Sequence, residues 1–262
     1  MKNTIKVILL VLSSLALVTA IIASCVTLNK NIKYTFTKQR NSAPVDAFVL
    51  VSVEQKTVPV TCEAKKQSID CKKLLKSLPP MTKGWTGSGL LVESDVGPSI
   101  LTAAHVCTKD AIDELNYKGV KIGMSTETHI KILSPLKGSY TSKVIRVDIE
   151  NDLCLLKPSK IFTNPIAVSR TPPEMGDKVY AIAAPFGIFG RGMSLIFTGH
   201  YSGNQNGRSF YTIPTRPGSS GSSVLNKDWE VVGIIHTAFI SFESVGVGTD
   251  FFDVRNFLFP TK

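Results

Sequence analysis

The chain has 262 residues and is 43% hydrophobic, which supplies the matter of a buried core and the length of two small domains or one large β unit, so disorder is excluded as the default. Its net charge of +10 suits anionic membranes or acidic substrates, and equally a solvated basic surface with no specific partner; no nucleic-acid partner is expected. Neither CxxC nor HxxxH spacing occurs, which argues against zinc, and no organic cofactor is implied.

Lys2 and Lys6 precede an uncharged stretch from Val7 to Leu28, so residues 1–28 read as a targeting segment, either a long signal peptide or a membrane anchor. Within it, Ile22-Ala23-Ser24-Cys25 resembles a bacterial lipobox, in which Cys25 would be lipidated; the alternative is an ordinary cysteine in a membrane helix. Basic residues flank both ends and leave the orientation open. Residues 29–44 are polar and basic and read as a linker. Ala47 to Glu54 and Thr57 to Thr61 have strand composition, with Pro59 favouring a sheet edge for the second. Ser68 to Leu78 is predicted as a short helix ended by Pro79-Pro80.

Short strands follow at Gly87 to Val92, Ser99 to Ala104, Thr128 to Ile132, Lys143 to Ile149 and Leu153 to Leu156, with Asp110 to Tyr117 an ambiguous helical stretch. The prolines between Pro158 and Pro173 mark a domain junction. Strands then resume at Lys178 to Ala184, Met193 to Tyr201, Phe210 to Ile213, Ser223 to Leu225, Val231 to Ala238 and Val245 to Asp250. Gly203 to Arg208 reads as a hairpin loop, and Phe251 to Leu258 as a C-terminal helix. So many short strands separated by turns predict an all-β sandwich or barrel.

Three segments carry candidate chemistry. In TRPGSSGSSV, Thr215 to Val224, Ser220 lies between glycines that permit a tight turn. Such a turn exposes a nucleophilic hydroxyl and aims the N–H groups of Gly218 and Ser220 at a developing oxyanion. A Gly/Ser cluster is by itself more often a flexible loop. SILTAAHVC, Ser99 to Cys107, ends a strand in His105, the candidate general base. ENDLCLLK, Glu150 to Lys157, opens a buried strand with Asp152, the candidate orienting carboxylate. The order His105, Asp152, Ser220 is far more specific than any of its parts.

With these motifs the chain, over about Trp85 to Leu258, resembles the trypsin-like (chymotrypsin-fold) serine peptidases, and among them the compact bacterial HtrA-like and glutamyl endopeptidase-like members. The runs GDKVYAIAAPFG at Gly176 to Gly187 and EVVGIIHTAF at Glu230 to Phe239 add to the resemblance. It implies two packed antiparallel β-barrels, over 45–165 and 166–262, with the short C-terminal helix on the second. His105 and Asp152 would stand on the first barrel and Ser220 on the second, with a polypeptide substrate in the cleft between. It further implies a hydrolase acting outside the cytoplasm, membrane-anchored or secreted. The alternative is a catalytically inactive binding module of the same fold tethered to the membrane.

Four cysteines remain beside Cys25. Cys62 with Cys71 would close a short loop. Cys107 with Cys154 would join the segments that carry His105 and Asp152, which the triad must bring together in any case; buried free thiols are the alternative for this second pair. The position before the nucleophile is Ser219, which offers no carboxylate to a new N-terminus, so activity without internal clipping is expected. Pro214 stands where trypsin-like enzymes carry the base of the primary pocket, which disfavours cleavage after Lys or Arg. Pro214, Thr215, His236, Thr237 and Ala238 are the candidate substrate-binding residues. His236 has two readings. It either reads an acidic side chain, as the return-strand histidine of glutamyl endopeptidases does, or packs near Asp152, since it arrives one residue late and alternate strand residues face opposite sides.

Overall fold

The computed structural model describes residues 40–64, 70–108, 113–117, 120–239 and 242–260; the expected leader and most of the linker lie outside them. Among the described residues no helix is long and apolar enough to cross a membrane.

Seven strands make the first sheet: β1 (Phe48–Ala64), β2 (Met81–Val92), β3 (Ser99–Ala103), β4 (Glu114–Tyr117), β5 (Val120–Ser134), β6 (Gly138–Asp148) and β7 (Leu153–Pro158). Their order is β1-β2-β3-β7-β6-β5-β4, and a long β1–β5 ladder from Leu50↔Leu133 to Ala64↔Val120 closes six of them into a barrel. The two strands expected at its start are one, with a register shift between Pro59 and Thr61 that accommodates the missing proline N–H as a bulge. Of the ambiguous helical stretch expected at Asp110 to Tyr117, residues 110–112 lie outside the described residues, and the rest is not helical. Glu114–Tyr117 is a strand, because its pairing with β5 and the Lys121–Glu114 ion pair (2.7 Å) override a weak local preference. Helix α1 (Cys71–Ser77) is capped by Asp70, whose carboxylate accepts from the Lys72 and Lys73 N–H groups.

The second barrel contains β8 (Lys178–Ala183), β9 (Leu195–Gln205), β10 (Arg208–Tyr211), β11 (Ser222–Leu225), β12 (Val231–Phe239) and β13 (Phe242–Thr249), closed in the order β10-β13-β12-β11-β8-β9. Asn206 and Gly207, both at positive φ, make the β9–β10 turn within the loop expected there. The segment between the barrels is irregular; it pairs with the sheets at the isolated bridges Val92↔Ile166 and Val168↔Val231, and Phe162 stacks on Tyr140 of β6. The C-terminal helix α3 (Phe251–Leu258) begins at Asp250, which accepts from Phe252 N–H, and buries Phe251, Val254, Phe257 and Leu258.

One apolar cluster runs from β1, β2, β3 and β7 into Ile182, Leu225, Ile234 and the helix residues Val254 and Leu258, so the barrels share a core. β3 and β11 lie where the barrels meet and are buried at every residue, as strands covered on both faces must be. Both candidate motifs leave this covered zone, which places His105 and Ser220 at the seam.

Candidate active site

β3 ends at Ala103 and turns at once into the single-turn helix α2 (Ala104–Cys107), which carries His105 outward while Ala104, Val106 and Cys107 stay buried. Across from it, the turn before β7 is built by Asp148, whose carboxylate accepts from Asn151 N–H (3.0 Å) and Asn151 Nδ2 (2.8 Å). This turn sets Asp152 at φ 53°, a left-handed conformation that Asp tolerates better than most residues. Asp152 then holds α2 three ways. Its carbonyl accepts from Ala104 N–H (3.1 Å), Oδ1 accepts from His105 N–H (2.9 Å), and Oδ2 lies 2.7 Å from His105 Nδ1.

Burial pushes the Asp152 carboxyl up, but the hydrogen bonds from the His105 ring and main chain outweigh it and hold the group below its usual value. An ionised carboxylate only accepts, so the proton of a neutral His105 sits on Nδ1 and Nε2 is left with a free lone pair. A disulfide joins Cys107 to Cys154, each two residues past its site neighbour, and a second joins Cys62 to Cys71.

Ser220 lies on a turn that only glycine permits at two corners. Gly218 (φ 96°) and Gly221 (φ 88°) are left-handed, and a Cβ at 221 would stand 2.2 Å from Ser88 O and 2.3 Å from Thr102 Oγ1. Ser88, which sequence reasoning missed, clamps the turn: its Oγ donates to Gly218 O (2.8 Å) and accepts from Ala184 N–H (3.0 Å), while its own N–H donates to Ser220 O (2.8 Å). The signal was a small polar residue inside the buried GSGLL strand. Among the described residues the N–H groups of Gly218 and Ser220 have no acceptor, as a site for a developing oxyanion requires. The Ser220 hydroxyl donates to the carbonyl of His236 (3.1 Å).

His236 is the extra residue of a bulge in β12, since Ile235 pairs with Gly248 and Thr237 with Val247. Its side chain is 5% exposed and puts Nδ1 3.5 Å from Asp152 Oδ2. Of its two readings, this geometry favours the one beside Asp152. Burial, only partly opposed by the Asp152 charge, lowers its pKa to about 4, so the ring is neutral at neutral pH. Thr215 is buried with its hydroxyl donating to Ile213 O (3.2 Å), and a Cβ on Gly246 would come within 2.7 Å of that hydroxyl. Pro214 and Thr237 are exposed, and the side chain of Ala238 lies outside the described residues. Among the described residues no cluster of acidic, histidine or cysteine side chains could hold a metal ion.

A family model described as trypsin-like peptidase domain matches residues 87–234. Solved structures are similar in fold at low identity. The active form of the Rv3671c protease from M. tuberculosis has a TM-score of 0.53 at 14% identity, over 82% of this chain and 82% of that one. The inactive form of a mutant of Rv3671c from M. tuberculosis H37Rv has 0.51 at 14%, over 78% and 84%. The serine endoprotease from Yersinia pestis has 0.52 at 19%, over 79% of this chain and 60% of that one. No curated protein matches.

Proposed function

This chain belongs to the trypsin-like peptidase family and is a serine endopeptidase, and from that premise we propose that Ser220 is its nucleophile, His105 its general base, Asp152 the carboxylate that orients His105, and the N–H groups of Gly218 and Ser220 its oxyanion hole. The hydroxyl of Ser220 turns from His236 O towards His105 Nε2, gives up its proton there, and attacks the scissile carbonyl carbon. The oxygen that becomes negative is held by the two N–H groups. The imidazolium, stabilised by Asp152, passes the proton to the departing amine, and water then hydrolyses the acyl-enzyme by the same steps in reverse order.

The observation that carries this reading is the join of a fixed imidazole–carboxylate pair (2.7 Å) to a glycine-framed serine turn with two uncommitted N–H groups. Fluorophosphonate labelling tests it: wild type is labelled and Ser220→Ala is not. A folded wild type that resists labelling would make the chain an inactive binding module of this fold.

The proposed setting is outside the cytoplasm, with residues 1–28 as signal peptide or anchor and Cys25 as a lipidation site. Two disulfides support an oxidising compartment. Mass spectrometry of the mature N-terminus distinguishes cleavage, lipidation and retention. The substrate is polypeptide; with Pro214 and Thr215 at the pocket and no carboxylate between them, cleavage after Lys or Arg is disfavoured. A mixed peptide library checks this, and a Lys or Arg preference would reject it.

A further inference from the structure

The loop joining β8 to β9 contains an aromatic residue in a conformation that aromatics avoid. Phe186 has φ 53° and ψ 24°, in the left-handed region where a bulky side chain is a true outlier. Burial does not offset that strain, because Phe186 is 67% exposed.

The loop itself is fixed. Phe186 N–H donates to Pro217 O (2.6 Å), Gly187 N–H to Ala184 O (3.0 Å) and Ile188 N–H to Pro185 O (2.9 Å). Farther along, the Phe189 ring packs on Phe48 and Gly192 N–H donates to Pro135 O (2.8 Å). The loop also presses directly on the serine turn: a Cβ at Gly218 would stand 2.5 Å from Ala184 O and 3.0 Å from Phe186 N. The molecule therefore holds an apolar ring out in solvent, on a backbone fixed by these bonds, beside a proposed oxyanion donor. Ile188, two residues on, is 46% exposed.

The neighbours of this ring say which half of a substrate would meet it. On one side of the serine turn lies β12, to whose His236 carbonyl the Ser220 hydroxyl is bonded. Phe186 instead meets the start of the turn, where its N–H is bonded to Pro217 O. There Gly187 approaches Thr86 of β2 (3.7 Å from its ideal Cβ to Thr86 Oγ1), and the adjoining residues of β2 support the helix of His105. Trp85 Nε1 donates to Val106 O (2.7 Å), and a Cβ at Gly87 would come within 2.6 Å of Val106 Cγ1. The amine half of the scissile bond departs towards His105, which donates its proton, and so leaves over Thr86 and Phe186.

We propose that Phe186, with Ile188 beside it, is a docking platform for an apolar side chain on the leaving-group half of the polypeptide substrate, and so selects the residues that follow the cut. The proposal rests on the peptidase reading above and adds a specificity determinant to it. An aromatic side chain on a held backbone has only two χ angles to lose when a partner covers it, which is why such rings serve as anchors.

The test uses peptides identical before the cut, with Leu or with Gly in the two positions after it, and a coumarin amide that has no peptide on that side. Wild type is expected to favour the Leu series by about tenfold in kcat/KM, the worth of partly burying one apolar side chain. In Phe186→Gly that preference falls to about twofold or less, and the loss on Leu peptides exceeds the loss on the coumarin amide by several-fold. Because glycine adopts this φ without strain, Tm holds or rises. An unchanged Leu preference in Phe186→Gly, or equal losses on peptide and amide, overturns the proposal in favour of a purely structural loop. Binding of uncleaved Leu peptide to Ser220→Ala, with and without Phe186→Gly, separates the two readings. About tenfold weaker binding in the double variant supports the platform even where wild type resists fluorophosphonate and the peptidase reading fails, whereas equal binding overturns the platform even where wild type is labelled.

Discussion

Replacing Cys107 and Cys154 together by alanine tests what the buried disulfide contributes. The bond closes a separation of 47 residues, the same separation as between His105 and Asp152. The chain-entropy relation gives about 4 kcal/mol for a loop of that size. Both cysteines are buried, at 3% and 0% exposure, so the small cavity left by two sulfurs adds to the cost rather than offsetting it. At about 2–4 °C per kcal/mol for a domain of this size, Tm should fall by roughly 10 °C. The site should survive, because the His105–Asp152 geometry is independently held by Ala104 N–H on Asp152 O, His105 N–H on Asp152 Oδ1 and the β3–β7 ladder. The expected kcat of the folded double variant at low temperature is therefore within about threefold of wild type, since what remains uncut is the transition-state contact itself. The Cys62–Cys71 bond spans 9 residues, for which the same relation gives about 2.5 kcal/mol, so its removal should cost less. Urea unfolding at fixed temperature and active-site-titrated kinetics measure both pairs. The reasoning is refuted if the Cys62 and Cys71 pair proves the more costly, or if the Cys107 and Cys154 double variant keeps its urea midpoint while losing kcat.

Ser220→Ala, His105→Ala and Asp152→Asn should each remove most turnover, and their combinations little more, because the three act as a unit; Asp148→Asn, which touches only the turn, should instead lower stability by about 1 kcal/mol in urea unfolding. Gly221→Ala places a Cβ 2.2 Å from Ser88 O at φ 88° and should cost about 3 kcal/mol or more with loss of kcat, whereas Gly207→Ala, at φ 73° with open space around it, should cost about 1 kcal/mol and leave kcat alone. Because burial lowers His236 to about 4 in the fold against about 6.5 unfolded, the unfolded chain binds the extra proton between those values. Stability therefore falls on acidification through that window, by up to about 3 kcal/mol. In His236→Leu the urea midpoint should vary less between pH 7 and pH 4.5, and an unchanged pH slope would remove His236 as its source.

The candidate catalytic motifs are legible in the sequence because each is a local solution to a local problem. A serine exposed on a glycine turn, a histidine ending a buried strand and an aspartate opening one can be read within ten residues of themselves. Strand composition gave the all-β class for a similar reason. What stayed hidden depends on partners far along the chain. Barrel closure rests on β1 meeting β5, and Ser88 gains meaning only through Gly218, 130 residues away. Glu114–Tyr117 becomes a strand because β5 offers it an edge.

His236 shows most sharply where periodicity stops. Counting by twos from Gly233 turns its ring away from one pocket wall and says nothing more. A bulge breaks that count at this very residue, and an extra residue in a strand re-aims its side chain without any mark in the sequence. The re-aimed ring lies 3.5 Å from the carboxylate oxygen that His105 also contacts, while the carbonyl of the same residue takes the Ser220 hydroxyl. One residue thus touches Asp152 with its side chain and Ser220 with its backbone. If the ring steadies Asp152, His236→Asn, which keeps a neutral donor, should retain more kcat than His236→Leu at similar KM. Equal losses in the two variants would reduce the ring to filler.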